Sequence, residues 1–182
     1  MRKNRRHPMY YKERFETYLN VDEMLDKYYN YDETYRKCSQ CPGFGETWAC
    51  PDFNFDPKDY WLQFSRFHFI VDRISNEGTS TVAEAQDRLF AEKKIHDEEM
   101  LAMEEVCPGS KALAAQECTL CKKCARLSGH PCVHPDKMRY ALESLGMLAV
   151  KMVKDCFGFD ILWSDGTSIP EYYLLVGGIL EK

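Results

Sequence analysis

The chain has 182 residues, 45% of them hydrophobic, and a formal net charge of −5, which suits one domain with a substantial apolar core. The acid excess argues against nucleic acid as the main partner. No apolar run approaches a membrane span, and the basic start Met1–Arg6 has no apolar segment behind it to make a secretion signal. The expected location is therefore the reducing cytoplasm, where thiols stay available to metal instead of pairing as disulfides.

Taken in chain order, residues 1–19 read as a flexible basic tail that runs on to Lys12 and Arg14, a solvated stretch more than a grip on phosphate. Asn20-Val-Asp-Glu23 is a capped helix start and predicts a short helix to about Tyr29. Residues 38–51 carry Pro42, Gly43, Gly45 and Pro51, which exclude regular structure and let backbone amides turn towards a bound centre. Phe67–Ile74 is aromatic and β-branched and reads as a buried strand. Thr81-Val-Ala-Glu84 is a capping box, and Val82, Ala85, Leu89, His96, Met100 and Met103 form the inner stripe of a helix over 81–106. Pro108-Gly109 ends it, and Lys111–Glu117 reads as a short strand.

Pro135 is placed to open a helix over 135–145, with Met138, Ala141, Leu142 and Leu145 inward and Gly146 as its stop. Residues 147–157 read as another helix, with Val150, Val153 and Phe157 inward. Asp160–Trp163 and Tyr172–Leu180 read as a hairpin, and Gly177-Gly178 as a bulge within it. The sum is an α+β fold: a small, mostly antiparallel sheet packed by helices, with two cysteine-rich loops at an end or face.

Nine cysteines fall into two tight groups and two strays. Cys118, Cys121 and Cys124 follow at a stride of three, and Cys132 comes later. This stride crowds a single tetrahedral zinc but suits a 4Fe–4S cubane, which offers each thiolate its own iron. Bacterial ferredoxins open the same way but place their fourth cysteine earlier and follow it with proline, where this chain has Val133. Lys122, Lys123 and Arg126 within the loop either favour a reduced cluster or are ordinary surface charges. His130 and His134 flank Cys132 as substitute ligands, donors to sulfur or, for His134, a cap.

Cys38, Cys41 and Cys50 are one ligand short of a closed site. A distant Cys107 or Cys156 could complete it, or a histidine or carboxylate could complete zinc. An iron could be left open to substrate, or the loop could bind nothing, with Phe44 and Trp48 then ordinary core aromatics. Cys156 otherwise reads as an inert core thiol and Cys107 likewise. His68 and His96 read as hydrogen-bonded core histidines, and Met100, Met103 and Met147 as packing. No phosphate loop, dinucleotide fingerprint or serine-hydrolase elbow is present.

The paired loops resemble the prokaryotic predicted metal-binding proteins of the domain of unknown function 2284. The N-terminal motif is carried by Cys38, Cys41, Phe44-Gly45 and Cys50-Pro51, with Asp52 in place of a second proline. The C-terminal motif is carried by Cys118, Cys121, Cys124, Cys132, His134, Pro135, Arg139, Glu143 and Gly146, with Val133 where the family has arginine. The resemblance implies metal binding by Cys38, Cys41, Cys50, Cys118, Cys121, Cys124 and Cys132, leaves Cys107 and Cys156 outside the pattern, and names no reaction.

The leading expectation is an iron–sulfur protein handling electrons with a redox partner protein, its second loop holding one 4Fe–4S cluster and its first loop a second metal group. The alternative is a zinc-stapled interaction module displaying Phe44, Trp48 and the basic loop. A metal-assisted hydrolase ranks last, for want of a general base beside an open metal.

Overall fold

The computed structural model describes residues 12–182. Residues 1–11 of the expected tail lie outside the described residues. The rest of that tail is strand β1 (Lys12–Asn20), followed directly by helix α1 (Val21–Tyr28) and helix α2 (Tyr31–Cys38). A short helix α3 (Pro57–Trp61) leads into β2 (Arg66–Ser75), the long helix α4 (Val82–Val106) and β3 (Lys111–Leu113). Helix α5 (Ala149–Phe157) and strand β4 (Tyr172–Glu181) complete the fold. No described helix is long and apolar enough to cross a membrane.

The four strands form one antiparallel sheet in the order β1-β2-β4-β3. Its class is the expected α+β. Both faces are covered, which explains why β2 and β4 read as unbroken apolar runs. Phe67, Phe69 and Val71 of β2 face one way, with Leu174, Val176 and Leu180 of β4, and pack against α1, α5 and Trp61. Ile70 and Ile74 face the other way, where α4 brings Ala85, Leu89 and Met100.

The caps follow the sequence. Asn20 Oδ1 accepts from the amides of Asp22 and Glu23, and Thr81 Oγ1 accepts from Glu84 N. The face under α4 also holds a polar network. Asp72, fully buried, accepts both arms of Arg14 at 2.7 Å and faces His96 Nδ1 at 2.8 Å. Lys12 reaches Glu92 at 3.1 Å. Burial alone would raise the Asp72 carboxyl, but the hydrogen bonds from Arg14 and His96 outweigh it and hold the group well below the usual carboxylate range. Lys12 and Arg14 are thus structural ion-pair partners in an edge strand, not a solvated tail.

Four further expectations are corrected. Residues 135–145 form turns, not a helix, because tertiary bonds pull the chain out: Arg139 grips Glu104 at 2.6 and 2.7 Å, and the Tyr140 carbonyl accepts from Ala114 N at 2.9 Å. Asp160–Trp163 makes no strand, so there is no hairpin; β4 pairs instead with β2 and β3, and Trp163 is exposed. Gly177-Gly178 makes no bulge. The register runs straight through both, and their missing side chains allow close approach, since a Cβ on Gly177 would lie 2.6 Å from His96 Nε2 and 2.7 Å from the Leu113 carbonyl. Within α5 the buried residues are Ala149, Met152 and Val153, while Val150 faces out.

Candidate metal centre

The second cysteine loop hangs from a neck made of protein bonds. Glu104, near the end of α4, holds Arg139, Lys111 Nζ and the backbone amide of Ala112. The Ala114–Tyr140 backbone bond lies beside it, and Asp97 Oδ1 accepts from Ala115 N at 3.1 Å. Beyond the neck, Ala125–Ser128 forms one 3-10 turn that Gly129 ends in the left-handed conformation at φ 70°. His134 accepts the amides of Lys137 and Met138, so it stops the chain as a turn, where a helix cap had been expected.

Cys118, Cys121, Cys124 and Cys132 all line one cavity of about 240 Å3. That is many times the space one water needs. Gly43, Glu46, Thr47 and Trp48 of the first loop close its other side. Burial pushes the Cys118 thiol up, opposed by the Leu120 amide and by the charge of Lys93. Lys93 is itself buried and paired with Asp97. Lys93 falls on the buried stripe of α4, four residues after Leu89 and three before His96, and the sequence pattern passes over it because a lysine does not count as an apolar position.

The first loop curls through successive tight turns. Cys41 N bonds the Cys38 carbonyl at 2.9 Å, Phe44 N the Cys41 carbonyl at 3.0 Å, and Cys50 N the Thr47 carbonyl at 3.1 Å. Cys38 itself is the last residue of α2, whose cap Asn30 accepts from Glu33 N. The Thr47 hydroxyl lies 3.3 Å from Cys50 Sγ. Burial, then the charges of Glu143, Cys50 and Cys41, push the Cys38 thiol up to about 11. These thiols and Glu143 therefore sense one another. Burial likewise raises the Glu143 carboxyl.

Arg126 joins the two loops. Its guanidinium donates to the carbonyls of Thr47, Cys50 and Asp52, and it lies over the Trp48 ring. It is a strut between the loops and not an idle surface cation. Lys122 and Lys123 are exposed at the cavity rim.

Among the described residues, no three Cys, His, Asp or Glu side chains close on a point tightly enough to hold one metal ion. The strays stay outside both loops. Cys107 is exposed at the end of α4, correcting the core reading, and Cys156 is half-buried beside Lys27, Tyr28 and Asp155. His96 sits in the core bonded to Asp72, and His68 stacks on Tyr18.

The model of the family DUF2284, described as a predicted metal-binding protein, matches residues 26–180. The chain belongs to this family. No curated protein and no solved structure matches it. Both cysteine loops, the neck at Arg139 and the turn at Glu143 fall inside the DUF2284 match. Membership supports metal binding and leaves the metal open.

Proposed function

We propose that the chain is an iron–sulfur protein that handles electrons, with one 4Fe–4S cluster held by Cys118, Cys121, Cys124 and Cys132. The observation that carries this reading is the single cavity lined by all four cysteines. A tetrahedral zinc, with bonds of about 2.3 Å, needs its sulfurs roughly 3.8 Å apart. A cubane takes thiolates spread around a larger body, which a cavity of about 240 Å3 lined by four cysteines suits. When bound, such a cluster would supply one-electron transfer.

The residues around the cavity suit that task. The Leu120 amide favours the ionised Cys118 thiol, and amide dipoles near sulfur raise the potential of a cluster. The positive charge of Lys93 acts in the same direction from beneath. Leu120 and Leu127 line the cavity and are exposed, and Val133 next to Cys132 is more exposed still. With Lys122 and Lys123 they make an apolar, cationic rim, fitted to a redox partner protein that presents an acidic face.

The test is anaerobic purification with iron, sulfide and zinc counted per chain, joined to low-temperature electron spin resonance of the reduced protein. A brown protein with matching iron and sulfide and a cluster signal is expected. A colourless protein with stoichiometric zinc would replace this reading with the zinc-stapled module.

A further inference from the structure

We propose that the first cysteine loop is the cover of the second, and that the Trp48 indole is the apolar wall that limits the access of water and oxidants to Cys118, Cys121, Cys124 and Cys132. This rests on the iron–sulfur reading above only for the kind of group that lies behind the wall.

Trp48 lines the same cavity of about 240 Å3 as those four cysteines. Three other residues of the first loop line it too, and none offers an apolar surface of any size. Gly43 has no side chain, Glu46 is exposed, and the Thr47 hydroxyl lies 3.3 Å from Cys50 Sγ. Trp48 is the large apolar side chain that the first loop brings to the thiols.

The ring is held there by both loops. Its Nε1 donates to the His130 carbonyl at 3.0 Å, so the indole is bonded to the loop it covers. Arg126 lies over the ring while donating to the carbonyls of Thr47 and Cys50, on either side of Trp48 in the chain. Both partners come from the segment between Cys124 and Cys132. Arg126 is not a cavity residue, so the ring and not the charge meets the thiols. Ala49 is buried, which fixes the backbone beside the ring, and Phe44 packs edge-on against Tyr35 of α2 at 5.5 Å, which ties the loop to the rest of the fold.

Four thiolates around a cluster carry negative charge that grows on reduction. An apolar wall in place of water makes that growth costlier, so Trp48 lowers the potential as well as screening the sulfurs.

The test has one arm that needs no metal and one that does. In the metal-free protein, iodoacetamide labelling of each cysteine is followed by peptide mass spectrometry for wild type, Trp48→Phe and Trp48→Ala. Cys118, Cys121, Cys124 and Cys132 are expected to react severalfold faster in Trp48→Ala. They should stay close to the wild-type rate in Trp48→Phe, which keeps an apolar ring but loses the bond to His130. Cys107, exposed at the end of α4, should react alike in all three. In the second arm, anaerobically reconstituted wild type carrying ring-deuterated tryptophan should lose proton couplings from the electron–nuclear double resonance spectrum of the reduced protein. Trp61, bonded to the Leu145 carbonyl, and the exposed Trp163 do not line the cavity and contribute none. Trp48→Ala should also move the midpoint potential to more positive values and bleach severalfold faster in air. If Trp48→Ala unfolds, Cys156 becomes reactive as well, and the deuterium arm decides. Equal labelling of the four thiols in wild type and a folded Trp48→Ala overturns the proposal, as does a Trp48→Phe protein as open as Trp48→Ala, or a spectrum untouched by deuteration. A zinc protein would remove the cluster reading and leave the labelling arm to decide the cover.

Discussion

The Arg126 guanidinium lies 5.4 Å from the centroid of the Trp48 ring, while Trp48 Nε1 donates to the His130 carbonyl at 3.0 Å. Each cysteine loop thus holds a residue of the other. Arg126→Ala should destabilise the chain by about 1.5–3 kcal/mol, the range for hydrogen bonds to a charged group. It should also lower metal content at both loops. Arg126→Lys should restore little, because one ammonium cannot serve three carbonyls spread along a turn. Chemical denaturation with metal analysis of each variant reads both effects.

Cys121→Ser should lose one cluster's worth of iron and melt lower, because metal binding and folding are linked. Cys156→Ser should keep its iron, since that thiol packs beside Tyr28 away from both loops. Iron counts per chain separate the two outcomes, and iron loss in Cys156→Ser would place that residue in a ligand shell.

Asp72 makes stability depend on acid. Its carboxyl titrates lower in the folded chain than in the unfolded one, held down by Arg14 and His96 against the effect of burial. Its contribution is therefore fully present above the unfolded value of about 3.9 and is lost as the pH falls towards the folded value. Asp72→Asn should cost roughly 3–5 kcal/mol at neutral pH, as for a broken buried ion pair, and should flatten the acid limb. Urea unfolding between pH 7 and pH 3 measures both.

Gly177→Ala should destabilise by roughly 1–3 kcal/mol, as overpacking does. The new methyl would press on His96 Nε2 and on the Leu113 carbonyl, next to the β3–β4 pairing that precedes the second loop. Gly177 carries no left-handed backbone, so its cost is the clash alone, whereas Gly166→Ala, which meets nothing within 4 Å, gives the cost of a left-handed backbone alone at φ +86°. Thermal melts of the two variants give the comparison.

Local signals in the sequence were reliable where the chain satisfies itself locally. The caps at Asn20 and Thr81, and the long stripe of α4, appear as their residues dictate. Signals failed where distant partners decide. Lys12 and Arg14 look like a tail until Asp72 and Glu92 stand beside them. Pro135 to Leu145 has a helix's spacing, but an isolated helix of that length is marginal, and the ion pair of Arg139 with Glu104 and the bond from Ala114 to Tyr140 take its place. In the site, the cysteine stride announced the second loop. Nothing in that stride pointed to Lys93 or gave Arg126 its task.

The Glu104 neck bears on the order of events during maturation. Its bonds to Arg139, Lys111 and Ala112 join amino acids only, so the throat of the second loop needs no inorganic part to hold it shut. Farther out, Arg126 and the Trp48–His130 bond take over that task, so the receptacle is braced at its root and at its lip by amino acids alone.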